Sequence, residues 1–288
     1  MRAQKQSIFR FAPSPNGYLH LGHARSALLN QEIAAQTHGK LLLRMENLDE
    51  LRCRTDYETA IMEDLAWLGV SWQLPVRRQS EHIDTYDAGL GQLRARGLLY
   101  PCFCSRQDVA KAVAGRANWP CDPDGSPLYP GTCRHLSLRE QQARARDVVA
   151  PAYRLDIAQA IKLVPQRPEW HEYGPDGVLK TVAADPAQWG DVILARKDIP
   201  ASYHLAVVLD DYLQGVTHVV RGQDLFAATS LHRLLQELFD YPAPDYFHHT
   251  LLYDVAGRKL AKSIGAKSLW QFRAEHYTKE DIIRMALA

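Results

Sequence analysis

The stretch that decides the fold is Ile8-Phe9-Arg10-Phe11-Ala12-Pro13-Ser14-Pro15-Asn16-Gly17, followed by His20-Leu21-Gly22-His23-Ala24-Arg25 and, after Gly39, by Lys40-Leu41-Leu42-Leu43-Arg44-Met45-Glu46. Ile8 to Phe11 reads as a short strand, and the prolines, Asn16 and Gly17 end it in a turn. A helix is predicted from about His20 to Gln36, because Ala24, Ala27, Leu28 and Ile33 fall on one face at helical spacing. Gly39 breaks it. Lys40 to Met45 reads as a second strand running into Glu46-Asn47-Leu48-Asp49, and a second helix is predicted around Tyr57 to Leu68. A β-α-β-α order in one run implies a parallel sheet covered by helices, with ligands at the C-terminal ends of its strands.

Working outward, residues 101–134 lose periodicity and gather Gly, Pro and Asp, which marks an insertion. A core resumes near Tyr153. His218 to Arg221 is another strand candidate. After Gly222-Gln223-Asp224 comes a helix through about Leu238, with Leu231, Leu234, Leu235 and Leu238 at helical spacing. A final helix is expected from Lys279 to Ala288. The expected division is 1–100 and 186–240 as two parts of one α/β core, 101–185 as an insertion, and 241–288 as a loop and short helical segment.

Composition narrows the class. A chain of 288 residues can bury one substantial core plus an inserted subdomain. The hydrophobic 46% is spread in short runs interrupted by charge, so neither a membrane span nor a disordered chain is indicated. Met1 to Ser7 lacks the apolar run of a secretion signal, which makes the cytoplasm the expected compartment. With 34 Lys plus Arg against 33 Asp plus Glu, the net charge of +1 gives no whole-protein argument for nucleic acid, so any RNA surface is local. Of the five cysteines, Cys102, Cys104, Cys121 and Cys133 cluster in the irregular stretch. That suits a metal site in a reducing compartment better than a disulfide framework.

Three constellations carry chemistry. His20 and His23 stand at a strand-loop-helix junction, where imidazoles three residues apart share a helical face. Gly22 admits close approach, so phosphate contact, metal contact and helix capping are all open readings. Gly257-Arg258-Lys259-Leu260-Ala261-Lys262-Ser263 is a basic, glycine-led loop whose lysines can reach phosphate oxygens. It lacks the spacing of a P-loop. Among the cysteines, Cys121 is the natural fourth partner of Cys102, Cys104 and Cys133 on chemistry alone, because thiolate is a softer and commoner zinc donor than phenolate.

Together these residues resemble the glutamyl branch of the class I aminoacyl-tRNA synthetases. His20-Leu21-Gly22-His23 is similar to the His-Ile-Gly-His motif, and Lys259-Leu260-Ala261-Lys262-Ser263 to the Lys-Met-Ser-Lys-Ser loop, with Leu260 and Ala261 departing from it. The resemblance implies a Rossmann-like catalytic core with an inserted zinc-binding subdomain and a short helical C-terminal part. It implies that His20, His23, Lys259 and Lys262 stabilise phosphate charge, and that Gly22 and Ser263 join them in holding ATP with magnesium. Arg10, Ser14, Glu46, Tyr203 and Arg221 match its glutamate-binding segments. A guanidinium can pair with a carboxylate and Glu46 with the ammonium group. Asn47 stands where the family usually has an acidic residue, and Val207 where asparagine is common.

A short, glutamyl-Q branch of that family has Cys-x-Cys followed by Tyr-x-x-x-Cys. This resemblance selects Cys102, Cys104, Tyr129 and Cys133 as ligands of a structural zinc, with Cys121 as the competing fourth ligand. It implies glutamate, ATP and queuosine-containing tRNA(Asp) as partners, with the chain acting as a monomer away from membranes. Few residues follow Ser263, which is expected to leave out the long anticodon-binding region of a full-length glutamyl enzyme. The competing readings are a glutamyl-tRNA synthetase fragment or variant charging tRNA(Glu), a nucleotidyltransferase for another small carboxylate, and a noncatalytic RNA-binding adaptor. Lys262→Ala is expected to slow glutamyl-adenylate formation in pre-steady-state assays while leaving the glutamate Kd nearly unchanged. A pure binding defect would reject the phosphate role.

Overall fold

The computed structural model describes residues 6–146, 150–174, 176–254, 257, 260 and 267–288. The opening run forms β1 (Ile8–Phe11), α1 (Leu21–Gln36), β2 (Lys40–Met45), α2 (Thr55–Trp67) and β3 (Gln73–Arg78). These strands make a parallel sheet in the order β1-β2-β3, with Ile8 opposite Lys40 and Met45 opposite Arg78. The chain continues through α3 (Ile83–Ala95), β4 (Leu99–Cys102), α4 (Arg106–Val113), α5 (Leu138–Ala145), β5 (Ala152–Leu155) and α6 (Ile157–Lys162). Then come β6 (Glu169–Tyr173), β7 (Leu179–Ala183), β8 (Ile193–Ala195), α7 (Tyr203–Leu213), β9 (His218–Gly222), α8 (Ala228–Phe239), β10 (Asp245–His249), α9 (Leu269–Ala274) and α10 (Lys279–Leu287).

Strands β6, β10 and β9 are parallel neighbours, and β7 pairs antiparallel at the β6 edge. Beside β9 lies β1: Thr217 N donates to Ile8 O at 2.9 Å and Ile8 N to Thr217 Oγ1 at 2.8 Å. The chain therefore winds outward in opposite directions from β1 and β9, the kind of switch point where a crevice opens beyond the strand ends. Helix α1 spans this junction, and Asn30 Nδ2 reaches Val220 O at 3.0 Å.

The predicted α/β, Rossmann-like architecture is present. The apolar faces read from the sequence explain it: Ala24, Ala27 and Leu28 pack on Phe9, Leu43 and Met45, while Leu231, Leu234, Leu235 and Leu238 of α8 pack on Leu205, Val208 and Leu209 of α7. The helix expected after Asp224 starts at Ala228, because Gln223–Leu225 first makes a 3-10 turn. A separate antiparallel sheet, β4-β5-β8, carries the irregular cysteine-bearing segment between its first two strands. Among the described residues, no helix is long and apolar enough to cross a membrane.

Charge inside the core joins these pieces. Asp210 and Asp211 on α7 are both buried. Arg44, fully buried at the end of β2, donates to Asp211 at 2.7 Å and lies 3.8 Å from Asp210, while Arg77 of β3 donates to Asp210 at 2.7 Å. Gln79 and Tyr86 supply further donors to Asp210 at 2.8 and 3.0 Å. Burial alone would raise the Asp211 carboxyl, but Arg10 and Arg44 hold it below the usual range. A depressed carboxylate stabilises the fold above its ordinary pKa, and that contribution is lost as pH falls through the depressed value. Arg44→Met is expected to cost about 3–5 kcal/mol in urea denaturation at neutral pH, since it leaves buried carboxylates uncompensated. A loss below about 1 kcal/mol, the range of a surface pair, would show that the cluster is not the tie described here.

Candidate active site and cysteine cluster

At the switch point lies a cavity of about 410 Å³ whose wall includes Arg10, Ser14, Glu46, Tyr203 and Arg221 together with His20, Gly22 and His23. The structure thus brings together residues contributed by the C-terminal ends of β1, β2 and β9 and by the starts of α1 and α7. Lys259, Lys262 and Ser263 lie outside the described residues. Leu260 lines the cavity, and its N–H donates to Leu252 O at 2.9 Å.

The histidines cap α1. His20 is the N-cap, its Nδ1 accepts the Gly22 N–H at 3.0 Å, and His23 Nδ1 accepts the His20 N–H at 3.1 Å. A neutral ring that accepts at Nδ1 carries its proton on Nε2, so both imidazoles are held as Nε2–H donors. A Cβ at residue 22 would come within 2.9 Å of His20 Cε1, which is why the position is glycine. Of the readings left open by the sequence, capping is realised, and it sets the rings on the wall of a cavity at a helix N-terminus suited to phosphate.

The two arginines differ. Arg10 Nε donates to Asp211 at 3.1 Å, while its terminal nitrogens have no hydrogen-bond partner among the described residues. Arg221 is only 5% exposed and has an acceptor for each of its N–H groups. Nε meets His248 Nε2 at 3.0 Å, and Nη1 meets Tyr203 Oη at 3.2 Å and His232 Nδ1 at 3.3 Å. Nη2 meets Leu225 O at 3.1 Å and Thr229 Oγ1 at 2.7 Å. Burial pushes the Glu46 carboxyl up against the opposing pull of Arg44 and Arg10, and burial likewise raises the Tyr203 phenol. Ser14 Oγ lies 3.6 Å from Cys53 Sγ. Sequence reading missed Arg44, Asp210, Asp211, His232 and His248. The available signal was two adjacent acids inside the apolar run Leu205 to Leu213.

The family model for the catalytic domain of class I tRNA synthetases (E and Q) matches residues 8–288. A glutamyl-Q tRNA(Asp) synthetase of Rhodobacter capsulatus is 44% identical over 96% of this chain and 99% of its own length. The chain belongs to the glutamyl-Q tRNA(Asp) synthetase family. A glutamate–tRNA ligase of Aquifex aeolicus is 34% identical over 94% of this chain but 54% of its own length. A crystal structure of a glutamate tRNA ligase from Elizabethkingia meningosepticum, in complex with its amino acid, superposes with a TM-score of 0.74 at 25% identity, covering 98% of this chain and 60% of that one. The chain thus spans little more than half the length of these ligases.

Departures from the wider class I glutamyl pattern find local explanations in this member of the glutamyl-Q family. Asn47 exchanges two hydrogen bonds with Ser80, its Nδ2 donating to Oγ and its Oδ1 accepting from the backbone N–H, each at 2.9 Å. Val207 is buried in the core between α7 and its neighbours and is not on the cavity wall. Its apolar side chain therefore serves packing.

The Cys102, Cys104 and Cys133 sulfurs all lie within 4.8 Å of one another and can hold a metal ion. Tyr129 Oη is 3.5 Å from Cys104 Sγ and accepts the Cys133 N–H at 2.9 Å. Cys121 is exposed, bridged to Pro127, and outside this cluster. Arg154 Nε reaches Cys102 Sγ at 3.2 Å, and its guanidinium carbon sits 3.8 Å from the Tyr129 ring centroid. Arg154 thus places a fixed cation beside the cysteine cluster. Cys104→Ser is expected to lower both bound metal, read by inductively coupled plasma mass spectrometry, and the Tm. Cys121→Ser should retain the metal, and the opposite ranking would return Cys121 to the ligand set.

Proposed function

We propose that this chain activates glutamate with ATP and transfers the glutamyl group to queuosine in the anticodon of tRNA(Asp). The observation that carries the reading is the meeting of Arg10, Ser14, Glu46, Tyr203 and Arg221 with the His20-Leu21-Gly22-His23 turn on one cavity wall. Alignment over 99% of a relative named for this reaction, at 44% identity, favours it over charging of tRNA(Glu).

The glutamate α-carboxylate attacks the α-phosphorus of ATP, pyrophosphate leaves, and an RNA hydroxyl then attacks the activated carbonyl to release AMP. In this scheme Arg10, with terminal nitrogens still open, and the Tyr203 hydroxyl read the side-chain carboxylate, while Glu46 takes the ammonium group and Ser14 completes orientation. The Nε2–H groups of His20 and His23, with Lys259, Lys262 and Ser263, stabilise charge developing on phosphate, while Gly22 leaves room for the nucleotide to approach. Magnesium enters with ATP and screens its polyphosphate. Zinc suits the cysteine cluster, because three thiolates and a phenol supply a closed tetrahedral set that leaves no position for substrate, which is a structural role. We assign the ligands as Cys102, Cys104, Tyr129 and Cys133, within the irregular segment between β4 and β5; the insertion expected over 101–185 is drawn too long at its end, since β6 and β7 pair into the sheet of β9 and β10 while β8 joins β4 and β5.

The test is transfer of labelled glutamate to tRNA(Asp) prepared with and without queuosine, with the label mapped by nuclease digestion and mass spectrometry. Label is expected on queuosine alone, and tRNA(Glu) should remain essentially uncharged. Label on a 3′-terminal adenosine, or equal labelling of queuosine-free tRNA(Asp), would contradict the proposal and favour ordinary aminoacylation.

A further inference from the structure

Because every N–H of Arg221 already has a protein acceptor, this arginine cannot add a hydrogen bond to a substrate without surrendering one. Its neighbour can. Tyr203 Oη accepts from Arg221 Nη1 at 3.2 Å, its own proton has no acceptor among the described residues, and the residue lines the cavity. A hydroxyl that accepts from a guanidinium is polarised into a better donor.

What holds Arg221 in this arrangement lies outside the cavity wall. His248 Nε2 accepts from Arg221 Nε at 3.0 Å and stands 3.2 Å from the Thr229 hydroxyl. That nitrogen accepts only if the His248 proton resides on Nδ1, and Glu172 on β6 is placed to keep it there, with Oε2 at 2.9 Å and Oε1 at 3.0 Å. Glu172 is itself fixed by the His248 backbone N–H at 2.9 Å and the Trp170 indole N–H at 3.0 Å. A continuous chain of hydrogen bonds links Glu172 to the Tyr203 hydroxyl: Arg221 donates on one side to His248, which donates to Glu172, and on the other to Tyr203.

We propose that Glu172 and His248 are positioning residues for the amino-acid pocket, holding Arg221 so that the Tyr203 hydroxyl proton is aimed at the side-chain carboxylate of the substrate. The proposal rests on the reading of the cavity as a glutamate site. Neither residue touches substrate. Their effect belongs to the binding of one substrate, with the chemical step and the ATP site untouched.

The experiment is glutamate-dependent ATP–pyrophosphate exchange, with tRNA present, on the full chain and its Glu172→Gln, His248→Ala and doubly substituted variants. His248→Ala is expected to raise the glutamate KM about tenfold, the equivalent of one lost charge-assisted bond. The ATP KM and kcat should stay within about twofold. Glu172→Gln, which keeps the side chain's shape and so tests the chain even if His248→Ala fails to fold, should move the same parameter in the same direction. The double variant should be no worse than His248→Ala, because both substitutions break one chain. An unchanged glutamate KM, additive effects, or parallel losses in kcat and ATP KM would overturn the positioning role while wild-type exchange stands. Absence of glutamate-dependent exchange in the wild type would instead reject the glutamate reading, and this proposal with it.

Discussion

Two adjacent carboxylates inside the protein, Asp210 and Asp211, are the constraint on which the pocket depends. Neither is tolerable there alone, because the cost of removing a charge from water exceeds what ordinary packing returns. Arg10, Arg44 and Arg77 come from three successive strands to meet them, so satisfying the carboxylates fixes β1, β2 and β3 relative to α7. The same requirement places Tyr203, at the start of that helix, across from Arg10 and Glu46. Ion clusters of this kind contribute little net stability against an apolar replacement, yet removal of one member is costly, which suits a device that sets geometry.

The cavity inherits its chemistry from that geometry. Arg10 is gripped at its Nε edge, which leaves the opposite edge for a ligand, whereas Arg221 has a protein acceptor at every N–H. The paired histidines at the start of α1 are likewise held by backbone N–H groups at Nδ1. Donors fixed before substrate arrives need no reorganisation as charge develops, and this is where electrostatic catalysis obtains its advantage.

Much of this was legible in the sequence, and the limit has a physical cause. Apolar spacing from Ile8 to Met45 is a local signal, and so the β1-α1-β2 opening and its crevice could be read directly. The motif residues at 20–23 and the separated Arg10, Ser14, Glu46, Tyr203 and Arg221 could be gathered only through resemblance to a family. Cys121 outranked Tyr129 on donor chemistry alone, and the structure leaves Cys121 exposed while setting the Tyr129 phenol beside Cys104. Arg44 with Asp211, or Glu172 with His248, are pairs far apart in the chain, and nothing periodic announces them. Arg44 reads only as a member of a strand, and its burial is what requires partners.

The most direct measurement is a crystal structure with a glutamyl-sulfamoyl adenosine, a stable mimic of the adenylate. The account predicts the glutamyl side-chain carboxylate within hydrogen-bond distance of the Arg10 terminal nitrogens and the Tyr203 hydroxyl, the ammonium group at Glu46, and the sulfamoyl group beside His20 and His23. Arg221 should keep its contacts to His248, His232 and Thr229. A side-chain carboxylate bound directly by Arg221 after release of those partners, or an amino-acid moiety seated outside the cavity between β1 and β9, would contradict it.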